Sequence, residues 1–251
     1  MSSSGYNKSA FRDTRTGKTD GARAKRVFIV LMVLFLVVTA AAMWRTNSVS
    51  EVFEPLAGHT LGLDPGHGGF DGGAVSDDGT KESDLNLSIA LRTQAIAEFV
   101  GQKTRMTREN DSARTDFASY SEHQDLVRRA ALVNETPGAI LFSIHQNDYP
   151  TGQPSGAQVL YSSYAGSEAL GKLVHNNLLS ALDPENRRVA EPAPKNLYLT
   201  ANAECPAILI ECGFMSNNFE VLKLCDDAYQ TSISTVLIAS FLQYLTACDK
   251  R

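Results

Sequence analysis

Apolar positions along the chain follow two different rules on either side of about residue 45. From Val27 to Trp44 the segment VFIVLMVLFLVVTAAAMW carries no charge, and eleven of its residues are Val, Ile, Leu or Phe. Each of those contributes about −0.3 to −0.6 kcal/mol at a bilayer centre. The run has about the minimum length of a spanning helix, so the pattern predicts a transmembrane anchor over residues 27–44. The rival is a cleaved signal peptide, since Ala40 and Ala42 resemble a small-residue cleavage site. Against it, the basic stretch before the run is long and the run overshoots a signal core. Residues 1–26 are polar and rich in Ser, Gly, Lys and Arg, the composition of a disordered tail. Residues 45–58 read as a linker.

From His59 onward short apolar runs alternate with helical periods. Candidate strands are Thr60–Leu63, Thr104–Thr107, Ala139–Ile144, Ala157–Tyr161, Leu197–Leu199 and Ala207–Ile210. Leu85, Ile89, Ile96 and Val100 recur at helical spacing, as do Leu170, Val174 and Leu178, and Val236 through Leu245 forms a C-terminal helix. Ser121 and Gln124 make a capping box ahead of Leu126, Ala130 and Val133. Strand–helix alternation over 59–251 predicts one α/β domain, a roughly six-stranded mixed sheet flanked by helices, with the single transmembrane helix in front of it.

Charge sharpens this division. The whole chain carries 23 basic and 28 acidic residues, a net −5. Residues 1–26 hold seven basic residues against Asp13 and Asp20, or +5, which leaves −10 for the rest. A basic tail on an acidic body argues against nucleic acid as the main partner and points the N-terminus to a membrane surface. The positive-inside rule then puts 1–26 in the cytoplasm and 45–251 outside. Cys205, Cys212, Cys225 and Cys248 show no C-x-x-C zinc spacing. Cys205 and Cys212 lie too far apart along an extended run to bridge each other. The four are expected as buried small apolar residues.

Candidate chemistry follows strand ends, where open α/β sheets place ligands. The first strand leads into Asp64-Pro65-Gly66-His67-Gly68-Gly69, whose glycines permit a tight turn that pushes the imidazole outward. Glu82 stands just before the first helix, where the positive helix end favours a carboxylate. After the third strand comes Ser143-Ile144-His145-Gln146-Asn147, and the last strand ends on Glu211-Cys212-Gly213-Phe214. Two imidazoles and a carboxylate make a three-ligand catalytic zinc site with an open position, and a further carboxylate nearby can serve as base. His59, His123 and His175 do not share this placement and read as structural or solvated.

The segments LGLDPGHGGFDGGA, KESDLNLSIA, MTREND, LVRRAALVNE, LFSIHQN, SGAQVLY and PAILIECGFMSNNFE resemble the zinc-dependent N-acetylmuramoyl-L-alanine amidases in order and spacing, from about His59 to Leu245. The resemblance implies a single α/β domain with a six-stranded sheet. It implies a zinc cofactor (Zn2+) held by His67, Glu82 and His145, and Glu211 as the catalytic carboxylate. The implied reaction is hydrolysis of the amide between N-acetylmuramic acid and L-alanine in peptidoglycan. The anchor, the bare catalytic domain and SGAQVLY are most similar to the germination-specific, spore-cortex amidases, which remove stem peptides so that muramic lactam can form. Only Ser162–Gly166 separate the SGAQVLY strand from the next helix, so the inhibitory insertion of some members is absent. Gln146 departs from the small residue that many relatives carry. The resemblance names no regulatory partner, though an enzyme without such an insertion needs some restraint. The rival readings are a zinc peptidase cutting within the stem and a catalytically silent wall-binding protein.

Overall fold

In a computed structural model that describes residues 58–111, 120–151 and 154–248, six strands form one sheet. The tail over 1–26, the anchor over 27–44 and the linker up to residue 57 lie outside the described residues. The elements run β1 (Thr60–Pro65), α1 (Glu82–Phe99), β2 (Thr104–Met106), α2 (Glu122–Asn134), β3 (Ala139–Asn147), β4 (Gln158–Tyr161), α3 (Ser167–Leu182), β5 (Glu191–Pro192), α4 (Tyr198–Asn202), β6 (Ala207–Phe214), α5 (Asn218–Leu224) and α6 (Asp227–Cys248). Strand order is β2-β1-β3-β6-β4-β5, parallel throughout except where β4 meets β6.

The central strands β1, β3 and β6 are buried on both faces, which explains their nearly unbroken apolar runs. Successive side chains point to opposite faces. Leu61, Leu63, Ile140, Phe142, Ile144, Ile208 and Ile210 belong to the larger core, which they share with α1, α3 and α6. Ala139, Leu141 and Ala207 meet Ala130, Val133 and Leu199 of α2 and α4 in a smaller cluster. That second face is thinly covered, and towards the C-terminal ends of the strands it turns polar through Ser143, His145 and Glu211. Among the described residues α6 is the one helix long and apolar enough to cross a membrane. Its Ile233, Leu237, Ile238 and Phe241 are buried in the larger core and Phe241 packs edge-on to Phe142, which makes it a core helix.

The mixed six-stranded sheet flanked by helices is as expected, but its sixth strand is not Leu197–Leu199. Leu197 precedes α4 and Leu199 is buried within it against α2. A three-residue apolar run fits strand and helix equally. The sixth strand is the two-residue, exposed Glu191–Pro192 on the sheet edge, where proline is tolerated. Helix α5, capped by the Asn217 side chain, was not anticipated. Strands β3 and β6 run past their expected ends, so His145 and Glu211 lie inside strands rather than after them. Ser121 caps α2 as expected, its Oγ accepting from Gln124 N at 3.4 Å. All four cysteines are free. Cys205 and Cys212 are buried, but Cys225 and Cys248 are exposed, so the expectation of burial fails for two of them.

Candidate active site

At the end of β1 the chain leaves the sheet through Gly66 and places His67 at φ 60°, the one non-glycine with positive φ among the described residues. That left-handed conformation costs an L-residue roughly 1–2 kcal/mol, and such strain persists only where the surroundings impose it. His67 Nδ1 lies 2.7 Å from Asp71 Oδ2, which leaves Nε2 facing Glu82 Oε2 at 3.3 Å. Glu82 opens α1 and is almost fully buried. Its Oε2 accepts from Ala74 N at 3.0 Å, and its Oε1 accepts from Gln146 N at 3.1 Å and Asn86 Nδ2 at 3.2 Å. His145 Nδ1 stands 3.1 Å from the same Oε1. The ligand-capable atoms of His67, Glu82 and His145 all lie within 4.8 Å of one another.

Glu211 is the register partner of His145 across β3 and β6. Both face a cleft of about 220 Å³, walled on one side by α2 and on the other by Asn196–Thr200. Glu211 Oε2 is buried without a hydrogen-bond partner. A cation or a water in the cleft would satisfy it. Gly66 is needed for space rather than for turning, since its φ is not positive and a methyl there would stand 2.1 Å from His145 Cε1.

Without a cation the cluster is an electrostatic compromise. Burial disfavours a charged His67, but the hydrogen bonds and charges of Asp71 and Glu82 outweigh it and push the ring up to about 10. Burial likewise opposes ionisation of Glu82, yet His145 and His67 hold its carboxyl well below the usual carboxylate range. Burial pushes Glu211 up to about 7, with the Glu82 charge pressing the same way. Two imidazoles and an ionised carboxylate converging beside an unpartnered carboxylate fit a zinc ion in chemistry and number. The Asp71–His67 hydrogen bond is the outer support that metal-binding histidines require.

All four residues singled out from sequence are therefore brought together, while the other histidines stand elsewhere. His123 packs edge-on to Tyr198, and His175 is buried with Nε2 2.8 Å from Arg188 O. Burial pushes the Cys205 and Cys212 thiols up to about 11 and about 12, which suits inert packing residues. Sequence reasoning missed the polar layer beneath the site. Asp64 is fully buried, accepting from Thr107 Oγ1 and Ser143 Oγ at 2.6 Å each and from Arg129 Nη1 at 2.9 Å. Asp125 and Arg129, four apart on α2, are both buried and paired at 2.8 Å. Their only signal was a charged pair on the same helix face as Ala130 and Val133.

The pattern of the N-acetylmuramoyl-L-alanine amidase family matches residues 61–242. The chain belongs to that family. A curated relative from Bacillus subtilis (strain 168), a germination-specific N-acetylmuramoyl-L-alanine amidase, is 34% identical over 228 residues, spanning 87% of this chain and 92% of the relative. Among solved structures, the CwlD amidase from Clostridioides difficile in complex with the GerS lipoprotein superposes with a TM-score of 0.71 at 32% identity. That likeness covers 75% of this chain and 99% of the other. A second amidase, from Clostridium difficile 630, gives a TM-score of 0.65 at 29% identity over 75% of this chain and 97% of its own. The resemblance read from the motifs thus holds for family and for fold, and the amidase sheet carries the histidine–carboxylate cluster at its C-terminal edge.

Proposed function

We propose that the chain is a zinc-dependent enzyme that hydrolyses the amide joining the lactyl group of N-acetylmuramic acid to L-alanine in peptidoglycan stem peptides. The observation that carries this reading is the convergence of His67, Glu82 and His145 beside the unpartnered Glu211 in a cleft of an amidase fold. His67 and His145 would hold the metal through imidazole nitrogens, and Glu82 through a carboxylate oxygen. When bound, zinc supplies Lewis acidity, which polarises the amide carbonyl and eases deprotonation of the attacking water. Asp71 keeps the proton on His67 Nδ1 and so reserves Nε2 for the metal. Glu211 accepts the proton of the attacking water and delivers it to the departing L-alanine nitrogen. A base that titrates near neutrality is well matched to both halves of that transfer. The cleft beside α2 and α4 receives the glycan and stem.

The expected setting is outside the cytoplasmic membrane, with the catalytic domain tethered by residues 27–44 behind the basic tail. The cell-wall substrate of the family supports that side of the membrane. Similarity to the germination-specific amidase of Bacillus subtilis supports a role in spore-cortex maturation. The likeness to an amidase solved with a lipoprotein supports a regulatory protein partner for this chain as well.

Glu211→Gln tests the reading, since it keeps size and an acceptor oxygen but cannot take a proton. Zinc content should stay near one per chain while turnover falls by at least about a hundredfold, the lower range for loss of a general base. Turnover within a few-fold of wild type would remove Glu211 from catalysis, and loss of zinc would make it a ligand.

A further inference from the structure

At the end of β1 and just past it, three successive carbonyls, those of Pro65, Gly66 and His67, need donors. Buried carbonyls are almost always paired. Here two buried guanidiniums supply all the donors but one, which Asn86 Nδ2 gives to Gly66 O at 3.2 Å. Arg129 on α2 donates from Nη1 to Pro65 O at 2.8 Å and from Nη2 to His67 O at 2.6 Å. Arg108, just beyond β2, donates from Nε to Pro65 O at 2.9 Å and from Nη2 to Gly66 O at 3.0 Å. Its Nη2 also reaches Ser83 O at 2.8 Å, so one side chain ties the His67 turn to the start of α1, next to Glu82. Arg129 is balanced by Asp64 and Asp125 at 2.9 and 2.8 Å, and those carboxylates fix its plane.

This grip falls where the backbone is least comfortable. His67 is held in the left-handed region, with its ring between Asp71 and Glu82. Relaxation to an ordinary negative φ would swing the imidazole away from both. Hydrogen bonds from charged donors are about twice as strong as neutral ones, and a planar fork can serve neighbouring carbonyls in a way that an ammonium cannot.

We propose that Arg129 and Arg108 are positioning residues of the metal site. Their hold on the Pro65, Gly66 and His67 carbonyls keeps His67 left-handed and presents its Nε2 towards Glu82 and His145. The inference rests on the zinc reading above and adds to it a requirement for residues that touch neither metal nor substrate.

The test is zinc affinity of the purified full-length protein, stripped of metal and titrated against a competing chelator. Arg129→Lys and Arg108→Lys keep the charge but lose the fork. Each should retain the wild-type far-ultraviolet circular dichroism and a cooperative melt, yet bind zinc about 10- to 100-fold more weakly, the usual effect of losing an outer support. Ile238→Ala, in the core on the opposite face of the sheet, serves as the control for general destabilisation. It should lower Tm at least as much while leaving zinc affinity within about twofold, as distant sites do. Wild-type affinity in both folded lysine variants would overturn the positioning role while leaving the zinc reading intact. Equal weakening by Ile238→Ala would reduce it to general stability. A wild-type chain that binds no zinc would remove both readings together. If Arg129→Lys does not fold, Arg108→Lys decides, because the hydrogen bonds of Arg108 all go to main-chain carbonyls.

Discussion

Gly66→Ala adds a single methyl at a position where backbone conformation does not forbid it, since Gly66 is not among the glycines with positive φ. The available space does forbid it. The new Cβ would stand 2.1, 2.3 and 2.6 Å from Cε1, Nε2 and Nδ1 of His145, against about 3.5–4.0 Å for a normal carbon contact. The ring must therefore shift by on the order of 1.5 Å or rotate away, and its 3.1 Å approach to Glu82 Oε1 is lost. If zinc binding is worth about 10–16 kcal/mol over four positions, the share of one ligand is about 3 kcal/mol. That corresponds to about two powers of ten in affinity. Overpacking adds about 1–3 kcal/mol of destabilisation, small enough that the protein still folds. The assay is a zinc titration against a competing chelator, with circular dichroism to verify folding. Gly58→Ala is the control, because nothing lies within 4 Å of its new Cβ, and it should bind zinc like the wild type. Wild-type affinity in Gly66→Ala would mean that the His145 ring has room after all or that it is not a ligand.

Two further outcomes follow from the same geometry and a third from the proposed cortex role. His67 in the metal-free protein stays protonated up to about pH 10, so zinc binding at pH 8 should expel about one proton from it; calorimetry in buffers of different ionisation enthalpy measures this, and no dependence on buffer would contradict it. Asp64 is held down at about 2 against an ordinary 3.8, by Arg129, Ser143 and Thr107 against the opposing effect of burial. A depressed carboxyl stabilises the fold above its unfolded pKa and loses that contribution as pH falls through the folded one. Metal-free wild type should therefore lose about 2 kcal/mol more than Asp64→Asn between pH 4 and pH 2; urea unfolding at each pH reads the difference, and parallel losses would refute it. Deleting the gene should leave cortex glycan with stem peptides on nearly all muramic acids and no lactam, whereas normal lactam would reduce the role to general wall turnover.

The four cluster residues were legible in the sequence because each sits where polar chemistry interrupts an apolar run, His67 past a strand end, Glu82 at a helix start, and His145 and Glu211 where the apolar runs of their strands stop. The supporting layer was not. Asp125 and Arg129 are charged residues at helical spacing, a pattern that usually marks a solvated face, and only the fold turns that face inward onto Asp64. Strand β5 has two exposed residues and a proline, so no alternation announces it. Leu197–Leu199 offered too short a run to separate strand from helix. The glycines of the first motif divide by function: Gly68 and Gly69 have positive φ, as a turn requires, but Gly66 is small to admit the His145 ring, a contact between segments far apart in sequence. Nor could spacing reveal that His67 itself joins those glycines at positive φ.

The proposed cleavage is bond-specific, and mass spectrometry of the fragments released from peptidoglycan by the purified full-length protein with zinc tests it. Intact stem peptides with a free amino group on L-alanine are expected, together with glycan chains whose muramic acids carry free lactyl carboxylates. Fragments cut within the stem would make the protein a peptidase, and binding to the wall without release of any peptide would make it a silent binder; either result would rule out an amidase.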